Sequence, residues 1–119
     1  MITLKTLPQA TAQEVFDFVS KNLLEQNKKS QNDIGTCQYR GKDNTKCAAG
    51  FLIADDEIGG IIERNNNSAW SSLINMKLVP DAHQYLIASL QSVHDNRAPS
   101  SWRDELMNVA RINNIIVNF

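Results

Sequence analysis

The residues with the widest chemical range cluster around one turn-rich stretch. Tyr39-Arg40, Lys42 and Lys46 place an aromatic ring and three cations within eight residues. Such a group can bind a phosphate, a nucleotide or an acidic protein surface. Asp55-Asp56-Glu57 follows as an acidic run. From Lys28 to Lys46 there are five basic and two acidic residues; from Asp55 to Glu63 there are four acidic residues and none basic. Two uses compete for these charges. They contact a partner, or Arg40 and Lys46 pair with Asp55, Asp56 or Glu57 inside the fold. The acidic run could also hold a hard cation, but it lacks EF-hand spacing, and capping of a short helix is the simpler use.

Three other groups invite a catalytic reading. His94-Asp95 places an imidazole beside a carboxylate, yet neighbouring residues on a helix are not expected to face each other, and a histidine at a helix C-terminus suits the dipole alone. Cys47 with His94 would be a nucleophile pair. Cys37 and Cys47, spaced C-x9-C, with His83 and His94, spaced H-x10-H, match no zinc pattern. The chain carries no P-loop, G-x-S-x-G, H-E-x-x-H or C-x-x-C. The expectation is no catalytic residue, no metal and no cofactor.

These residues need elements to position them. Thr11-Ala12-Gln13-Glu14 reads as a capping box. Val15, Phe18, Val19 and Leu23, widened by Phe16 and Leu24, form an apolar stripe, so a helix is predicted over about 12–27. Thr36-Cys37-Gln38-Tyr39 and Thr45-Lys46-Cys47-Ala48 flank the turn-forming Gly41-Lys42-Asp43-Asn44 and predict a hairpin. A turn centred on Lys42 would put Cys37 opposite Cys47 and Tyr39 opposite Thr45. Gly50-Phe51-Leu52-Ile53 should enter the core. Asp55 is expected to cap a short helix weakened by Gly59-Gly60. Glu63 to Ser68 reads as a solvated loop, and Ser68 as the cap of a short helix through Trp70, Leu73 and Ile74. Pro80 suits a first helical position, which predicts a helix over about 81–95 with Ala82, Leu86, Leu90 and Val93 inward. After Pro99, Ser101 opens a last helix with Trp102, Leu106, Val109 and Ala110 inward. Asn113-Asn114 should stop it, leaving an apolar tail, Ile115 to Phe119, to dock.

The fold class is therefore mainly α (α+β), with four to five helices and one small antiparallel β-hairpin, in a single domain over 1–119. A hydrophobic content of 42% is ordinary for a globular domain. The formal net charge of −1 excludes a strongly basic nucleic-acid binder and a strongly acidic DNA mimic. No apolar run approaches the roughly 20 residues of a membrane span. The opening MITLKTLPQA has neither the charged nor the apolar region of a signal peptide. The expected setting is the cytoplasm, with both thiols free.

One stretch resembles a known signature. Cys37-x-Tyr39-Arg40, then Lys46-Cys47-Ala48-Ala49-Gly50-Phe51-Leu52-Ile53-x-Asp55, is similar to the C-x-Y-R…K-C-A-x-G-x-L-I-x-D core of a family of small uncharacterised proteins in tailed phages and prophages. Leu90-Gln91-x-Val93-His94-Asp95, followed by Trp102, resembles a later segment of that family. The turn Gly41-Lys42-Asp43-Asn44-Thr45 departs from the family's Gly-Pro-Asp-Gly-Leu-like pattern. The resemblance implies a phage origin and a bacterial host, and brings no mechanism with it. Small size, the missing catalytic motif and the polarised hairpin region then lead to the expectation of a phage-encoded non-enzymatic binding protein that inhibits a host factor, an antiviral defence component being the expected target. Tyr39, Arg40, Lys42 and Lys46 are the candidate contacts, with Asp55, Asp56 and Glu57 as a second patch. Two alternatives remain. One is a sponge for a nucleotide second messenger, homo-oligomeric, with Arg40 and Lys46 on phosphates and Tyr39 or Trp70 on a base. The other is a small hydrolase or metal-dependent nuclease using His94, Asp95 or the acidic run.

Overall fold

A computed structural model describes residues 1–119, apart from the side chain of Ile62. Its five α-helices are α1 (Ala12–Gln26), α2 (Gly59–Asn65), α3 (Trp70–Asn75), α4 (Gln84–Asn96) and α5 (Trp102–Ile112). Two short strands, β1 (Arg40–Gly41) and β2 (Thr45–Lys46), pair antiparallel. The molecule is mainly α with one small hairpin, as the patterning predicts.

Helix α1 begins where its sequence says it should. The Glu14 amide donates to the Thr11 hydroxyl at 3.1 Å, and the Thr11 amide donates to the Glu14 carboxylate at 2.8 Å. Asn27 closes the helix in the left-handed region, φ 51°. Val15, Phe16, Val19 and Leu23 are buried, against the inner faces of α4 and α5. On α4 that face is Leu86, Ile87, Leu90, Val93 and His94; on α5 it is Trp102, Leu106, Val109 and Ala110. The tail returns to α1. Gln13 exchanges two hydrogen bonds with the Ile116 backbone, at 2.8 and 3.0 Å, and Phe119 packs on Phe16.

Several local expectations are corrected. The hairpin register is Arg40↔Lys46 and Gly41↔Thr45, centred on Asp43 rather than Lys42. Asp43 and Asn44 both take positive φ, which lets the chain reverse one position later than expected. Cys37 therefore does not face Cys47; it bridges Gln31. Gly41 is required there, because a Cβ would lie 2.5 Å from the Gln31 amide nitrogen. Asp55 does not cap α2, which starts at Gly59 without a side-chain cap, because Asp55 is taken by cations of the hairpin. Glu63 to Asn65 is helical rather than loop. Ser68 does not cap α3; its hydroxyl donates to Asn65 instead. Helix α4 starts at Gln84, after Pro80 and Asp81, because His83 sits in the left-handed region (φ 59°) with its ring 2.7 Å from the Ala10 carbonyl.

Candidate functional site

The structure divides the seven charged and aromatic candidates. Arg40 reaches inward. Its guanidinium donates to the carbonyls of Gly50 (2.8 Å), Ile53 (2.6 Å) and Tyr39 (3.3 Å), and to Asp55 at 3.1 Å. Three carbonyls and a carboxylate make it a brace for the turn over Ala49–Leu52. The Lys46 ammonium lies 3.6 Å from the same Asp55 oxygen. The charge of Lys46, then the bond and charge of Arg40, hold the Asp55 carboxyl below its usual value. Arg40, Lys46 and Asp55 are thus brought together and turned on one another. Lys42 is set apart, 3.6 Å from Asp33, and both are exposed. Asp56 is exposed. Glu57 accepts from the amides of Leu4 (2.9 Å), Lys5 (3.2 Å) and Ala54 (2.9 Å), tying the N-terminal segment to the turn.

Tyr39 faces the opposite way. Its hydroxyl donates to the Ser68 carbonyl at 2.6 Å, and its amide to the Asn66 carbonyl at 2.8 Å. Burial pushes its phenol up. Asn66 also brackets Arg40: its side-chain oxygen accepts from the Arg40 amide at 3.0 Å and its nitrogen donates to the Arg40 carbonyl at 3.1 Å.

Behind Tyr39 lies a cleft of about 490 Å³. One wall is Cys37, Gln38, Tyr39 and Cys47; a second runs from Asn66 to Ser71 with Ile74; the third is the outer stripe of α4, Gln84, Tyr85, Ala88, Gln91, Ser92, Asp95 and Asn96. That spacing is the helical stripe beside the core-facing one. The lining is aromatic and amide-rich, with Asp95 as its carboxylate and no Lys or Arg among its residues.

Asp95 is held by its neighbours. Gln91 accepts from the Ala49 amide at 2.9 Å and donates to Asp95 Oδ1 at 2.8 Å. His94 Nδ1 lies 2.7 Å from the same oxygen. His94 Nε2 accepts from the Ser30 amide at 2.9 Å. An acceptor at Nε2 has no proton, so Nδ1 carries it and donates to Asp95. The expectation that His94 and Asp95 would not meet is therefore corrected. Ser30 and the Trp102 ring, stacked 5.5 Å away, fix the imidazole, while Gln91 turns the carboxylate back onto it.

Cys37, His94 and Asp95 offer donor atoms within 4.8 Å of one another. The set does not suit a metal. His94 would have to move its proton to Nε2, opposite the Ser30 N–H, to free Nδ1. Nor does it suit a thiolate nucleophile. Burial, then the charge of Asp95, pushes the Cys37 thiol up, and burial pushes Cys47 up to about 12. Cys47 is fully enclosed, and His94 is spent on Ser30 and Asp95.

Tyr39 and Trp70 were visible in the sequence as aromatic candidates. Gln91 stood in the sequence only within the Leu90-to-Asp95 segment, and Tyr85 and Asn96 were not singled out as site residues. Asn66 gave no signal, since its partner is 26 residues away. Compared with protein-family models, with curated proteins and with solved structures, the chain matches none.

Proposed function

We propose that the protein is a non-enzymatic binding protein that holds its partner in the α4 cleft. The observation that supports this reading is a preformed cleft whose polar walls are fixed by bonds to the rest of the fold, beside reactive groups that are already committed. Binding sites of this kind are concave, with a few placed polar groups on rigid elements. A hydrolase needs a free base, and both nitrogens of His94 are engaged. A nuclease needs converging carboxylates, and Asp55 and Glu57 point to different partners. A nucleotide sponge needs cations on phosphates, and Arg40 and Lys46 face Asp55 instead. The phage-family resemblance supplies the partner class, a protein of the bacterial host, with inhibition as the outcome of binding.

The test is native mass spectrometry of tagged protein isolated gently from that host. Ala88 is exposed and lines the cleft, so Ala88→Trp fills it without disturbing the core. The partner is expected to stay with the wild type and with Lys42→Glu, and to be lost with Ala88→Trp. Retention by Ala88→Trp together with loss by Lys42→Glu would move the site to the hairpin.

A further inference from the structure

We infer that the cleft recognises an organic cation, a guanidinium or an ammonium, at Asp95; this rests on the reading of the cleft as the binding site. Charge is the first reason. Asp95 is the carboxylate of the lining, and no Lys or Arg shares that lining. The Lys29 ammonium donates to the main-chain carbonyl of Asp95 at 3.1 Å and makes no ion pair with its carboxylate. The imidazole beside it is neutral when Nε2 accepts the Ser30 amide. The hydrogen bonds on the carboxylate itself therefore come from a neutral imidazole and a neutral amide, with no Lys or Arg paired to it.

Geometry is the second reason. Both protein nitrogen donors, His94 Nδ1 and Gln91 Nε2, land on Oδ1. An ionised carboxylate accepts at about four positions, and the other donor beside this one is the Cys37 thiol, a weak one. Acceptor capacity is left over. A guanidinium or ammonium is the partner that uses charge and donors together.

The walls supply the third reason. Tyr85 is 82% exposed at the edge of the cleft, free to lie over a cation, and Trp70 is packed in the wall. Aromatic faces attract cations. An arginine or lysine side chain of a partner protein and a free amine both carry the cation these walls suit.

The experiment is a titration of ¹⁵N-labelled protein followed by NMR. The probes are Nα-acetyl-arginine methylamide, agmatine, the citrulline counterpart of the first, and guanosine. Trp102, whose indole donates to the Arg97 carbonyl at 3.0 Å, is the internal control for Trp70. The arginine probe is expected to shift the Trp70 indole and the Gln91 and Asn96 amides, binding roughly tenfold more tightly than the citrulline probe. Asp95→Asn should erase that difference. Tyr85→Ala, which touches no core position, should weaken the arginine probe about fivefold. Tighter binding of the arginine probe than of agmatine identifies a protein side chain as the source; the reverse identifies a free amine. Citrulline or guanosine binding as tightly as the arginine probe would overturn the cation assignment and leave the cleft standing as a site. No shift with any probe would overturn both.

Discussion

His94 shows how much one side chain can organise. It is fully buried, stacked on Trp102, and joins a loop amide to a helix carboxylate through its two nitrogens. The sequence displays the neighbours His94 and Asp95, and their place near a helix end, but nothing about Ser30, which lies 64 residues away. A ring nitrogen's role depends on what the other nitrogen meets, so its chemistry was not readable before the fold. The cysteines carry the residue-scale prediction. Raised thiol values mean few thiolates at neutral pH, and thiolate is the reactive form. Iodoacetamide at pH 8 should modify half-buried Cys37 more slowly than free cysteine. Cys47 should react only when the protein unfolds, so its labelling should track the unfolding midpoint in urea. Rapid modification of Cys47 in the native protein would contradict its enclosure.

At the scale of elements, what was legible is what local chemistry decides. The capping box of α1 and the inward stripe of α5 follow from residues a few positions apart. The hairpin was legible as a hairpin, but not its register, because Asp43 and Asn44 both adopt the left-handed conformation that glycine usually supplies. The start of α4 was misplaced for a similar reason: Pro80 is a fair helix opener, and His83 overrides it by bonding to Ala10. The turn over Ala49–Leu52 depends on contact too. A Cβ at Gly50 would fall 2.5 Å from the Tyr39 carbonyl, against a backbone braced by Arg40. Gly50→Ala should therefore cost about 1–3 kcal/mol in chemical denaturation. It should also disturb Tyr39, which moves the cleft wall. A variant as stable as the wild type would mean that the turn has room to relax.

The whole molecule is closed by its two ends. The apolar tail was expected to dock, and it does so through Gln13 and Phe16, with the Arg103 guanidinium 5.2 Å above the Phe119 ring. The other end is held by one carboxylate. Burial alone would raise Glu57, but the amides of Ala54, Leu4 and Lys5 outweigh it, and its carboxyl sits below the usual 4.5. A group with a lowered folded value stabilises the fold above its unfolded value, and that contribution disappears as pH falls through the folded one. Glu57→Gln should thus lower stability at neutral pH and flatten its decline below about pH 4.5. Denaturation midpoints between pH 3 and 7 check both parts. An unchanged acid slope would remove Glu57 from that role. The cleft is a whole-molecule feature as well. Its walls come from three stretches that local patterning treated separately, which is why Asp95 was legible as a neighbour of His94 but not as the carboxylate of a cleft.

Asn66 has a consequence for how these molecules behave in a crowd. A strand with a vacant side is a template onto which another chain can add. The amide of Asn66 imitates a peptide group against Arg40 and fills that side of β1. Slow loss of ammonia from this side chain, leaving aspartate, would put a carboxylate oxygen where a donor now meets the Arg40 carbonyl. The Arg40 carbonyl would then lose its partner and be open to a donor from another chain. Aged protein, or Asn66→Asp made directly, should scatter more light as concentration rises, while fresh protein stays dispersed.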